Sequence, residues 1–203
     1  MNIVNIFPTK VAIIDDVLCS SEVSSYLQNN QHEIITIISD NEYRLTQNKY
    51  VLNNPFLHSL SDVIMNHVKA YAKDHLSLKY DDYMFSQSWV THCEPGKQRH
   101  YRHIHTNSLI SGVYYFQDHE NSSPIVMNRE ENIYQKHVFG DFREEELYTI
   151  DYRKNRLIIF PSEQSHYVPA NSTDIIRKSL VFNILPRGVF GDPYGEIDIS
   201  NLK

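Results

Sequence analysis

A chain of 203 residues that is 41% hydrophobic, with 14 Tyr and 9 Phe, has ample core-forming side chains, which excludes an intrinsically disordered segment. A net charge of −6, from 25 acidic and 19 basic residues, argues against a general nucleic-acid or anionic-membrane surface, though it leaves room for a local basic patch. Two cysteines make no secreted disulfide scaffold, no apolar run approaches the ~18 residues of a membrane span, and "MNIVNIFPTK" is no signal peptide; the expected setting is the cytoplasm (a host's, were the chain viral), with Cys19 and Cys93 reduced and mostly buried.

In chain order, residues 9–14 ("TKVAII") and 34–38 ("IITII") read as β pieces. Between them "SSEVSSYLQNN" reads as a short helix capped by Ser20 or Ser21. Residues 54–76 form the clearest helix. Asn54 is placed to cap it, Pro55 suits its first turn, and Leu57, Leu60, Ile64, Val68 and Tyr71 recur at three- and four-residue steps. His58, His67 and His75 fall mostly off that stripe and read as surface residues. Beyond residue 80 the pattern changes to short β runs at 84–93, 99–106, 109–117, 123–128, 146–150, 156–162 and 177–185, punctuated by Pro95-Gly96, Asn121, Gly140-Asp141 and Asn171. Short strands with turns between them indicate a sandwich or barrel, so the expected plan is α+β, with the helix packed outside a sheet.

The second of these runs, "RHYRHIHT", carries chemistry-bearing residues. In a strand, residues i and i+2 share a face, so His103 and His105 project together while Ile104 points away. Imidazoles so paired can close on one cation at ~2.0–2.1 Å, and imidazole suits Fe, Zn, Cu and Ni better than Mg or Ca. A second segment, "RLIIFPSEQSHYVPANSTDIIRKSLVFNIL", delivers His166 after an apolar strand and then Arg177 at the head of another. Three imidazoles from two remote segments are the plan of an open metal site. Arg177 suits an anion clamp, since guanidinium grips carboxylate bidentately and keeps its charge in a low-dielectric pocket; a surface position or a salt bridge is its plain alternative. Ser179 and Asn183 share its strand face by parity. His100, three residues before His103, falls on the opposite face and reads as structural. His119 and His137 sit in polar stretches and read as exposed, as do Asp118 and Glu120. Trp89 reads as core, with a substrate wall as the alternative.

Both segments resemble those of the iron(II)- and 2-oxoglutarate-dependent oxygenases. The closer resemblance is to a small branch common in bacteriophage and marine bacteria, in which an H-x-H stretch runs into "SGVYY", "FPS" precedes a distal His, and "R-x-S" leads to "FN". Here these stand as "HIHTNSLISGVYY", "FPSEQSH" and "RKSLVFN", and Phe7-Pro8-Thr9 matches the family's usual start. Residues 89–116 and 156–185 carry the specific match. The resemblance implies one domain over 1–203, with a support region at 1–80 and a double-stranded β-helix core at 81–190, a jelly roll with helices on its major sheet. It implies Fe(II) and 2-oxoglutarate as cofactors, O2 as co-reactant, decarboxylation of 2-oxoglutarate to succinate, and hydroxylation of an unidentified substrate. Carried over by position, His103 and His166 match the iron histidines and Arg177 the residue that holds the distal carboxylate of 2-oxoglutarate. Tyr115 falls where prolyl-hydroxylase relatives place a tyrosine on that same carboxylate, and Ser179 and Asn183 would line the pocket.

The departure is His105, which stands where the larger family has Asp or Glu. It is either the third metal ligand, leaving the site one unit more positive, or a residue behind the ligands with water completing the sphere. Three rivals remain at this level. A three-histidine cupin would use no 2-oxoglutarate, but Leu109 and Ile110 stand where cupins usually carry Glu. A non-catalytic β-sandwich binding module would merely keep the histidines. Nucleic-acid chemistry would draw on "KQRHYRH" (97–103) and "RKNR" (153–156), against the overall negative charge. Residues 129–146 form a long charged loop, either a lid or plain surface.

Overall fold

The computed structural model describes residues 8–29, 34–36, 44–96, 99–119, 121–129, 147–191 and 194–200. Strand β1 (Ala12–Ile14) is followed by helix α1 (Ser21–Asn29), β2 (Ile34–Thr36), β3 (Arg44–Thr46), helix α2 (His58–Asp74) and β4 (Tyr83–Cys93). Then come β5 (His100–His103), β6 (Ile110–Tyr115), β7 (Ile125–Asn128), β8 (Leu147–Ile150), β9 (Arg156–Pro161), β10 (His166–Val168) and β11 (Arg177–Pro186), with a small β12 (Val189–Phe190) and β13 (Ile197–Asp198) pair at the end. Ser20 caps α1 by accepting from the Val23 amide at 3.2 Å. Asn54 accepts from the Phe56 amide at 3.0 Å, but the turn it opens, Pro55–Leu57, is 3-10, and the α-helix proper starts at His58. His58 and His75 are exposed and His67 partly so. No described helix is long and apolar enough to cross a membrane.

Seven strands form one antiparallel sheet in the order β1-β9-β6-β11-β4-β3-β2, and four form a second, β5-β10-β7-β8. From β4 to β7 the chain changes sheet at every strand, and it does so again from β8 to β11. That alternation is a double-stranded β-helix, and it brings the successive strand ends of the two sheets together along one opening.

The seven-stranded sheet is buried on both faces, which is why β9 and β11 read as nearly continuous apolar runs rather than as alternating ones. Ile110 and Tyr114 of β6, Leu157 and Ile159 of β9, and Leu180, Phe182 and Ile184 of β11 face Leu27 of α1 and the Leu60–Ile64–Val68 stripe of α2. The intervening residues Val113, Tyr115, Ile158 and Phe160 face inward, against Ile125, Met127, Ile150 and Val168 of the smaller sheet. Parity along β11 therefore sends Phe182 to the helices and Arg177, Ser179, Val181 and Asn183 to the interior.

Gly112, in the centre of β6, is forced by this packing. A Cβ there would lie 2.2 Å from Phe182 Cζ and 2.7 Å from the Ile158 carbonyl oxygen. Gly112→Ala is expected to destabilise the fold by about 1–3 kcal/mol or more, since the contact includes backbone that cannot rotate away. Urea unfolding checks this, and a midpoint within error of the parent's would show that the β6–β11 packing is looser than described.

Candidate metal centre beside a buried guanidinium

β5 ends on His103 and β10 begins on His166, and the two are cross-strand partners. Directly opposed side chains stand close in an antiparallel pair, and these ring centroids are 4.3 Å apart. His105 arrives differently. β5 stops at His103, so the expected common strand face does not extend to it. A loop carries His105 in, its amide donating to the Ser162 carbonyl at 2.9 Å, and its ring lies 5.2 Å from each of the other two. The candidate ligand atoms of His103, His105 and His166 all fall within 4.8 Å of one another.

Each Nδ1 of the three is committed to an oxygen that can only accept. His103 Nδ1 donates to the Tyr101 carbonyl at 2.6 Å, His166 Nδ1 to the Gln164 carbonyl at 2.9 Å, and His105 Nδ1 to Asn183 Oδ1 at 2.6 Å. Neutral imidazole carries one N–H, so each Nε2 retains its lone pair. Burial disfavours the charged ring. It pushes His105 down to about 4, lowers His103, and holds His166 well below the usual 6.5, with mutual repulsion adding to the shift at His105 and His166. Three neutral, oriented, buried imidazoles fit a first-row divalent cation. Among the described residues no carboxylate joins them. Asp118 is exposed and lies 3.7 Å from Lys154, and Glu120 lies outside the described residues.

Arg177 heads β11 with 1% of its surface exposed. Its Nε donates to the Ser123 carbonyl at 3.0 Å, while its terminal nitrogens stand 3.4 Å from Ser179 Oγ and Tyr115 Oη. The rings of Tyr115 and Tyr152, stacked at 4.2 Å, flank it at 5.4 and 5.2 Å. Neither plain alternative holds: Arg177 is not on the surface, and among the described residues no ion pair neutralises it. A buried charge is costly without a counter-ion, and none of the described residues supplies one here. Burial raises the Tyr115 hydroxyl pKa against the opposing pull of Arg177, keeping it a protonated donor. Between guanidinium and imidazoles lies a hollow whose walls include Trp89, Thr91, Phe160 and Ser179.

Several residues sit elsewhere than their sequence context indicates. His100 faces the hollow, because three residue steps on β5 (His100 to His103) oppose only two on β10 (Val168 to His166). That bulge cancels the parity argument. His100 Nε2 meets Cys93 Sγ at 3.1 Å, and burial pushes that thiol up to about 11. His119 is buried rather than exposed. Gln117 ties its segment to β11 through the Lys178 amide and the Ile176 carbonyl, and His119 Nε2 contacts Thr173 Oγ1 at 2.8 Å. Trp89 is part of the cavity wall, its ring 6.1 Å from that of His105. Asn183 shares the inward face, yet it does not line the hollow, its oxygen being taken by His105. Tyr152 and Thr91 carried no local sequence signal; only their cross-sheet neighbours reveal them. His137 and residues 130–146 lie outside the described residues. The basic run at 153–156 is tied up locally: Arg153 and Arg156 bind Asp15 at 3.1 and 2.7 Å.

Residues 87–183 match a family model described as "Putative 2OG-Fe(II) oxygenase". No curated protein matches the chain. Among solved structures, the non-heme alpha-ketoglutarate-dependent epimerase SnoN from nogalamycin biosynthesis is similar at a TM-score of 0.66 and 12% identity, covering 92% of this chain and 84% of its own. HygX from Streptomyces hygroscopicus, solved with nickel and 2-oxoglutarate bound, gives 0.63 and 12%, covering 88% and 83%. A Pseudomonas putida prolyl-4-hydroxylase gives 0.58 and 14%, covering 89% and 94%. At these identities the likeness is one of fold.

Because the folded-state pKa values of the three imidazoles lie below the unfolded value near 6.5, the unfolded chain takes up protons that the folded chain refuses. Their contribution to stability is complete above about pH 6.5 and is lost as pH falls toward the folded values. The metal-free protein should melt several degrees lower at pH 5 than at pH 7, and His105→Gln should flatten that dependence. Calorimetry across this range reads both, and equal slopes for parent and variant would contradict the buried neutral state.

Proposed function

We propose that this chain, whose residues 87–183 match the 2OG-Fe(II) oxygenase family model, is an oxidoreductase that takes iron and 2-oxoglutarate as cofactors. His103, His105 and His166 would hold the iron through Nε2. Arg177 and Tyr115 would hold the distal carboxylate of 2-oxoglutarate, with Ser179 and Thr91 beside them. When bound, the iron and 2-oxoglutarate supply oxidative chemistry in which the keto acid becomes succinate and carbon dioxide and O2 provides the oxygen of a hydroxylated product.

The observation that carries this assignment is the buried, unneutralised guanidinium that shares one hollow with three neutral imidazoles. A five-carbon diacid matches the arrangement, with one carboxylate for the guanidinium and a chelating end for a cation. The chain's own part is largely positioning. Carbonyls fix the imidazole rings, Ser123 and the tyrosine pair fix the guanidinium, and the apolar wall of Val113, Ile125, Phe160 and Val168 keeps water from the reacting end. Trp89, beside His105, would form part of the wall that a substrate meets. A cupin that ignores 2-oxoglutarate would leave Arg177 without an anion. The occupied cations of the 153–156 run weigh against a nucleic-acid groove. Cys19 and Cys93, both free thiols, support a reducing cytoplasmic setting. Affiliation with the bacteriophage and marine-bacterial branch rests on the sequence motifs alone.

Anaerobic addition of Fe(II) and 2-oxoglutarate should produce a weak visible charge-transfer band. Arg177→Ala should require about 30-fold more 2-oxoglutarate or higher, the cost of losing one partner of a buried charged pair. In air, the parent should release succinate. Succinate formation that is unaffected by loss of Arg177, or absent from the iron-loaded parent, would overturn the assignment.

A further inference from the structure

We propose that Asn183 is a positioning residue that makes His105 a metal ligand through Nε2 while keeping the ligand set uncharged, so that metal binding and the anionic cosubstrate depend strongly on each other. The inference rests on the assignment of the imidazoles to iron.

The geometry singles out Asn183. It is cross-strand partner to Ser111 across β11 and β6, and both are buried. Asn183 Oδ1 accepts from His105 Nδ1 at 2.6 Å and from Ser111 Oγ at 2.9 Å, which uses both of its lone pairs. With its proton spent on Asn183, Ser111 Oγ must accept from Ser162 Oγ at 2.8 Å, and it also lies 3.0 Å from His105 Nδ1. Ser162 in turn anchors the loop, since its carbonyl accepts from the His105 amide at 2.9 Å. Side chains from β6 and β11 thus meet at one ring nitrogen, and Ser162, just past β9, braces both Ser111 and the His105 amide.

The other two imidazoles are oriented by backbone carbonyls two residues back, an arrangement that any side chain at those upstream positions would permit. Only His105 depends on a side-chain acceptor, so only there can one substitution alter the partner's charge. An amide turns the ring without adding charge. A carboxylate in its place would make the ring a stronger donor and put a negative charge one residue behind the metal. With the amide, a divalent cation keeps its full charge among three neutral ligands, and a dianionic cosubstrate is the group that offsets it.

Co(II), which has a ligand-field spectrum, is a suitable metal for the test, titrated with and without 2-oxoglutarate. Asn183→Asp should tighten Co(II) alone by about 10-fold, shift its visible bands, and shrink the further tightening that 2-oxoglutarate gives the parent. Asn183→Ala should weaken Co(II) by about 10–100-fold. In a His105→Ala background, Asn183→Asp should add nothing. Unchanged Co(II) affinity and spectrum in Asn183→Asp would overturn the proposal, as would a gain that survives removal of His105. If 2-oxoglutarate fails to tighten Co(II) even in the parent, the oxygenase assignment and the mutual dependence both fail, whereas the action of Asn183 on His105 is judged from the metal alone.

Discussion

A guanidinium sealed among aromatic rings, with no carboxylate in reach among the described residues, governs the interior of this protein. Arg177 is 1% exposed at the head of the most central strand, and its hydrogen bonds go to a carbonyl and two hydroxyls, none of which carries charge. Desolvating such a group is tolerable only where the fold is well supported around it and where an anion arrives in use. The support is visible in the stacked Tyr115–Tyr152 pair and in the β6–β11–β4 register that holds the strand.

The opposite end of the hollow follows a complementary rule. Where Arg177 is a charge with no counter-ion among the described residues, the imidazoles are potential ligands without a charge. Their Nδ1 atoms are committed and burial keeps the rings neutral, so what faces inward is a set of lone pairs. A molecule bearing a carboxylate at one end and a metal-chelating group at the other relieves both conditions at once. The double-stranded β-helix makes the two ends meet, because its chain passes repeatedly between sheets and returns each strand end to the same opening.

His105 links the two ends of this account. Its imidazole Nδ1 donates to Asn183, two inward positions along the same strand from Ser179. Strand β11 thereby contributes the buried guanidinium at one end and the ring support at the other, and its helix-facing residues Leu180, Phe182 and Ile184 bind it to the outer core. Packing and chemistry are thus segregated by strand parity within a single element.

The sequence by itself determined the parts whose signal is local. The three- and four-residue spacing from Leu57 to Tyr71 marked α2, short apolar runs marked the strands of the core, and the motifs around His103, His166 and Arg177 marked the candidate site residues. Signals that depend on a neighbour far along the chain were invisible there. A bulge opposite β10 turned His100 inward against its parity, a loop rather than a strand carried His105 to the others, and the Gln117 contacts with β11 buried a histidine from a polar stretch. Alternation of side chains is a property of one strand, whereas the face a residue finally meets is set by register and pairing; tertiary structure alone decided that Asn183 serves a ring nitrogen and that Trp89 faces the cavity.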